Sequence, residues 1–282
     1  MDKESLKERL QRRKEAVEKA PDEEHVVKMW TPINIKVDEN YKFIPTNKFA
    51  IAMSNGLKSF AMPVLKGLDK VVFDLEVLGK ENLEPLKDTG YITVCNHVNI
   101  LDCSMIATAI GRKDMTFTAI KENFEIPFVR LFVKGLGAIP IPRTVKAMKK
   151  FNEAVAELLK EKHIVHFYPE GVLFPYYNGI RGFYKGAFSY ASKNDVPIVP
   201  LLITYHQPKS KLRKKPVAKI HIMPAMYPNK ELTHREQIKD LCVRVTETMQ
   251  DKFDDTDCLR DNTAVLEKYK GQMPVETVGK KN

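Results

Sequence analysis

The sequence predicts an α/β fold in which a mainly parallel central sheet is flanked by helices, with an amphipathic helical segment before it. Three observations predict it. Strand-like runs alternate with segments of helical period through the middle of the chain. The run Tyr91–Cys95 is compact, rich in β-formers and preceded by Thr89-Gly90, and it reads as a buried strand. Finally, His97, Lys121 and Glu170 each follow the end of a predicted strand. Open α/β sheets bind ligands beyond the carboxyl ends of their strands, so these three would share one edge.

The elements follow in order. Residues 1–46 divide into a charged helix former, Asp2 to Lys19, and an irregular linker with breakers at Pro32 and Pro45. Residues 47–70 place Phe49, Met53, Leu57, Phe60, Val64, Leu65 and Leu68 at helical spacing, with Lys48, Lys58, Lys66 and Lys70 between them. An apolar face beside a basic one describes a helix in a membrane interface, or one packed on the domain. Pro63 should kink or divide it. The main domain is expected over 71–253. Val71 to Leu78 alternates as a strand does, and Ile100 to Ile110 is a helix that Gly111 stops. Met115 to Ile120 is a strand. Thr144 caps a helix running to about Lys162. Ile164 to Tyr168, Val196 to Tyr205 and Val217 to Met223 are strands, with a helix at 186–193 and a last one at 232–253. A polar tail covers 254–282.

At 282 residues the chain can hold one large domain or two small ones. It shows no run long enough to span a bilayer and no secretory signal. Cys95, Cys103, Cys242 and Cys258 have neither a pairing pattern nor metal-ligand spacing, so reduced thiols, no metal and a cytoplasmic protein are expected. The net charge of +10 attracts nucleic acid, anionic lipid or acidic proteins, or is only a solvated surface. The basic residues do not interleave with aromatics and no recognition motif is present, which argues against nucleic acid. A non-catalytic basic membrane- or nucleic-acid-binding module is the reading of a different class.

The chemistry centres on Asn96-His97-Val-Asn-Ile-Leu-Asp102. Residues five apart on one helix face away from each other. His97 and Asp102 can meet only if His97 lies in the turn and Asp102 in the first helical turn. A carboxylate holding one imidazole nitrogen leaves the other free to take a proton from a hydroxyl. The same residues also describe a structural turn. Cys95 and Cys103 flank the histidine, but Cys95 falls on the strand and Cys103 on the helix, where small buried cysteines are common.

Four motifs in order make the resemblance to the glycerolipid acyltransferases, among them the 1-acylglycerol-3-phosphate acyltransferases. The His-x4-Asp stretch resembles their first motif. Lys121 with Pro127, Gly137 and Arg143 is similar to the second, Phe167-Tyr-Pro-Glu170-Gly171 to the third, and Val196-Pro197-Ile-Val-Pro200 to the fourth.

The resemblance implies a glycerol-3-phosphate acyltransferase-like fold and acyl transfer from a thioester to the free hydroxyl of a lysophospholipid, 1-acylglycerol 3-phosphate first. It implies His97 as base and Asp102 as its partner. Arg143, Glu170 and Gly171 would place the glycerol phosphate, Lys121 would meet carbonyl or phosphate, and Pro197 would line the acyl or acceptor site. It also implies no cofactor beyond the donor, acyl-CoA or acyl-[acyl carrier protein], and a protein peripheral on the inner face of the cell membrane, meeting anionic lipid. This sequence departs from the third motif. Val172-Leu-Phe-Pro follows Gly171 where Thr-Arg is common, and the next arginine is Arg181, which would replace the missing charge if its loop folds back. Glycerol 3-phosphate or another lysolipid is therefore the alternative acceptor.

Overall fold

The computed structural model describes residues 32–263 apart from 45, 46, 136, 211 and 214. The helix expected at 2–19 and the tail beyond 263 lie outside the described residues.

A seven-stranded sheet forms the centre, in the order β1-β7-β6-β2-β5-β3-β4. Its strands are β1 (Glu76–Leu78), β2 (Tyr91–Cys95), β3 (Met115–Ile120), β4 (Ile139–Ile141), β5 (Ile164–Phe167), β6 (Ile198–His206) and β7 (Val217–Ile222). Neighbouring pairs are parallel except β6 and β7, so β7 and β1 run opposite to the other five. The helices are α1 (Lys48–Phe73), α2 (Asp102–Ile110), α3 (Pro127–Gly135), α4 (Val145–Lys160), α5 (Gly186–Asn194) and α6 (His234–Asp255).

Both faces of the sheet are covered, which is why β2 and β6 are apolar almost throughout. Tyr91 and Cys95 of β2, with Leu201, Ile203 and Tyr205 of β6, join Leu65 and Phe73 of α1 and Met105 and Ile106 of α2. Ile92 and Val94, with Ile198 and Leu202, face α4, α5 and α6 through Phe151, Val155, Phe188, Leu241 and Val245. The period-2 alternation thus feeds two cores.

The start of the domain differs from the expectation. The helix does not end at Lys70 but runs to Phe73, and the strand expected over 71–78 is only Glu76–Leu78. Two contacts account for this. Phe73 is buried in the core, and Arg213 from the β6–β7 connection donates to the carbonyls of Val71 (3.4 Å) and Val72 (2.5 Å), satisfying the helix end. Asp74, at φ 48°, then turns the chain. Pro63 does not divide α1. It lies exposed on the outward side of the helix, where its ring meets no packed neighbour element.

Asp69 pins α1 to α2. It is fully buried and accepts hydrogen bonds from Ser104 Oγ (2.9 Å) and Thr108 Oγ1 (2.7 Å). Burial pushes its carboxyl up, against those two donors.

In the middle of the sheet lies His166 of β5, fully buried, its Nδ1 2.8 Å from Thr93 Oγ1 on β2. Burial, with a smaller contribution from His97, pushes its pKa down to about 3. The unfolded chain then binds a proton that the folded chain refuses between roughly pH 6.5 and 3. This contribution to stability is complete above pH 6.5 and is lost as pH falls toward 3, at up to ~1.4 kcal/mol per pH unit. Melting curves at pH 7 and 4.5 should show the drop, and His166→Gln should make it shallower. An equal drop in the variant removes His166 as its source.

Candidate active site

Four adjacent parallel strands deliver one motif residue each to the same edge. Along β2-β5-β3-β4 the carboxyl ends carry His97, Glu170, Lys121 and, two residues beyond β4, Arg143. His97 and Lys121 are two strand spacings apart at roughly 10 Å, and Arg143 one further.

Side chains within the turn shape it. After β2 ends at Cys95, Asn96 extends the pairing with its amide: Nδ2 donates to Ile203 O (3.0 Å) and Oδ1 accepts from Ile203 N (2.9 Å). The main chain of His97 is thereby released from the sheet. Asn99 Oδ1 accepts from Leu101 N (3.1 Å), and Asn99 Nδ2 donates to Tyr205 Oη (3.1 Å). Asp102, in the first turn of α2, closes the loop. Its Oδ2 accepts from His97 Nδ1 at 2.9 Å, Val98 N at 2.7 Å and Asn99 N at 3.0 Å. Gly111, at φ 70°, ends α2 with its N–H on Ala107 O.

The Asp102 side chain is 1% exposed and that of His97 22%. Burial pushes the Asp102 carboxyl up, opposed first by the His97 contact and then by the two backbone donors. With Nδ1 on the carboxylate, Nε2 is the nitrogen left to exchange a proton. The flanking thiols offer no competing nucleophile: burial holds Cys95 well above its usual range and Cys103 at about 12.

Glu170 and Arg181 lie beneath this turn rather than open to a ligand. Glu170 is fully buried. Its Oε2 accepts from His97 N (3.1 Å) and from Arg181 Nη2 (2.5 Å), and its Oε1 from Arg181 N (3.0 Å). Arg181, 3% exposed in its side chain, also donates to Val172 O and lies 4.4 Å above the Phe174 ring. The loop does fold back, as the replacement of the third-motif arginine required. The guanidinium it brings is neutralised by Glu170 and closed to an acceptor phosphate, which corrects the substrate-binding expectation for Arg181. The departing segment is structural as well: Phe174 N donates to His97 O (3.0 Å) and Tyr176 N to Val98 O (2.7 Å). Gly171 sits at φ 73°, where an added Cβ would lie 2.6 Å from the Tyr184 ring.

Lys121 and Arg143 reach the edge with partners of their own. Lys121 Nζ lies 2.9 Å from Glu125 Oε1, and Arg143 Nη2 2.7 Å from Glu122 Oε1. The Arg143 side chain is 73% exposed. Pro197 is a correction. It precedes β6, its carbonyl accepts from Ile92 N (3.0 Å), and it therefore sits at the amino-terminal edge of the sheet. At about 3.3 Å per residue that is roughly 15–20 Å from His97, so it does not line this site.

Sequence reasoning missed Tyr168, whose ring stacks on His97 with centroids 3.9 Å apart and planes at 17°. Its place between the end of β5 and Pro169-Glu170 was the available signal. The carboxylates Glu122 and Glu125 were missed too, although Glu125 stands four residues after Lys121, a spacing at which side chains on a helical turn meet.

Residues 74–204 match the family model described as Acyltransferase. A chloroplastic 1-acyl-sn-glycerol-3-phosphate acyltransferase of Brassica napus is 32% identical over 134 residues, 46% of this chain and 37% of that protein. The Saccharomyces cerevisiae 1-acyl-sn-glycerol-3-phosphate acyltransferase is 30% identical over 135 residues, 46% of this chain and 43% of that protein. That of Bacillus subtilis is 26% identical over 151 residues, 54% of this chain and 72% of that protein. The matched stretch thus spans less than half of the Brassica and yeast proteins. Among solved structures, the 1-acyl-sn-glycerophosphate acyltransferase PlsC of Thermotoga maritima has the same fold. Its TM-score is 0.53 at 20% identity, over 74% of this chain and 88% of that one.

Proposed function

We propose, from the match of residues 74–204 to the acyltransferase family model, that this protein moves an acyl group from a thioester to the free hydroxyl of a lysophospholipid, 1-acylglycerol 3-phosphate giving phosphatidic acid. The observation that carries the reading is the 2.9 Å contact between His97 Nδ1 and Asp102 Oδ2 at the carboxyl edge of the sheet. His97 Nε2 takes the proton of the acceptor hydroxyl as its oxygen attacks the thioester carbonyl. The tetrahedral intermediate then expels the thiolate, which takes that proton back from the imidazolium. Asp102 stays ionised and stabilises the cation. A base so placed contributes about 10²–10⁴ in rate. The donor is acyl-CoA or an acyl carrier protein thioester, and no other cofactor takes part in the steps assigned to these residues.

The test is a transfer assay with labelled acyl donor and 1-acylglycerol 3-phosphate. Transfer by the intact protein and its loss in His97→Ala support the reading, and full activity in the variant ends it. Because Arg181 is turned inward and Lys121 and Arg143 are each paired with a carboxylate, the same assay should include glycerol 3-phosphate and lysolipids with other head groups. Preference for one of these selects the alternative acceptor.

The reading extends to a membrane surface. The outward side of α1 shows Phe60 (75% exposed), Val64, Leu68 and Val71, in place of the inward set that includes Leu65. Leu212 is exposed on the β6–β7 connection, which Arg213 ties to the carboxyl end of α1. Lys66 and Lys70 are exposed on the same helix and Lys209 and Lys215 on the same connection, a composition suited to anionic lipid. No helix among the described residues is long and apolar enough to cross a membrane. Phe60→Asp with Leu68→Asp should lower binding to anionic vesicles by about tenfold or more while leaving the melting curve unchanged. Undiminished sedimentation with vesicles would remove this face from the interface.

A further inference from the structure

We propose that Tyr168 is a positioning residue for the His97 base, its ring fixing the plane of the imidazole and lying against the positive charge that forms there. The inference rests on the acyl-transfer reading above. The single contact to Asp102 leaves the imidazole free to swing about it. The stack with Tyr168 removes that freedom, at 3.9 Å and 17°. The Tyr168 ring is itself backed. His166 meets it edge-on at 4.5 Å and 81°, and Thr93 holds His166 at 2.8 Å. Two residues further on, Glu170 Oε2 takes the His97 N–H at 3.1 Å. One short segment after β5 therefore grips His97 by both main chain and ring.

The ring carries the role, not the hydroxyl. Tyr168 Oη is buried without a hydrogen-bond partner among the described residues, so phenylalanine should serve there as well as tyrosine. An aromatic face also attracts the imidazolium that forms when His97 takes the proton, a contact the neutral ring does not make as strongly. Loss of the ring should therefore act on turnover and not on substrate binding.

The experiment compares Tyr168→Phe, Tyr168→Leu and Tyr168→Met with wild type and His97→Ala, measuring kcat and both KM values together with melting curves. The Phe variant is expected to keep kcat within about twofold. Leu and Met are expected to lose about 10–100-fold in kcat with both KM values nearly unchanged, the scale of a misplaced catalytic group. Met, flexible and similar in volume, keeps the comparison open if Leu disturbs folding. Cooperatively melting Leu or Met variants with wild-type kcat overturn the proposal, as does a Phe variant that falls as far as they do. Activity retained in His97→Ala would instead overturn the underlying reaction.

Discussion

Asp102→Asn is expected to lower kcat by about 10²-fold or more while the protein stays folded. Oδ2 takes three donors, and an amide oxygen in the same place can accept all three. The turn should therefore persist. What disappears is the negative charge beside the imidazole, and with it the stabilisation of the protonated ring. The amide nitrogen would take the position of Oδ1, which has no hydrogen-bond partner among the described residues, at a cost of about 1–3 kcal/mol. A melting point a few degrees lower with a collapsed turnover is the expected pair of results. A kcat within threefold of wild type would mean that His97 needs no partner.

Arg181→Met is expected to act in the opposite way, on stability before chemistry. Glu170 is fully buried, and Arg181 is the one cation paired with it among the described ion pairs. Removing one member of a buried pair strands the other charge, at about 3–5 kcal/mol. For a domain of this size that lowers the melting point by on the order of 10 °C. Changing Glu170 to Gln in the same molecule should recover part of the loss, because the uncompensated charge is then gone. If Arg181 met an acceptor phosphate instead, its loss would raise the acceptor KM and leave the melting curve in place. The two measurements separate these roles.

The contrast between these residues shows what the sequence could convey. His97 and Asp102 are five residues apart, and the strand–turn–helix pattern around them was enough to place one against the other. The parallel sheet was legible for the same reason, since each strand and its following helix are written in local periodicity. Arg181 and Pro197 depend on facts that no local pattern holds. Whether Arg181 points up at a ligand or down at Glu170 is decided by how the 172–185 segment packs. Pro197 was grouped with the site by motif order, yet the register of β6 on β2 puts it at the other end of the sheet. The strand expected at 71–78 failed on a coincidence. Val71, Phe73, Leu75 and Val77 alternate, but the first two complete a helix whose carbonyls at Val71 and Val72 are met by Arg213, 142 and 141 residues away in sequence. Tyr168 stacks on His97 through space, and no spacing rule reports a ring-on-ring contact.

On the proposed reaction, Asn96 also bears on how an acceptor comes and goes. Its side chain takes the rung that the next residue of β2 would have filled, so the loop bearing His97 hangs from β6 on one side and from Glu170 on the other. A loop suspended from two strands has little room to follow a moving substrate. Adjustment to head groups of different size should then fall to the far end of the edge, where exposed Arg143 can exchange Glu122 for a ligand oxygen. Structures with different acceptors bound should superimpose at the histidine and diverge at the arginine.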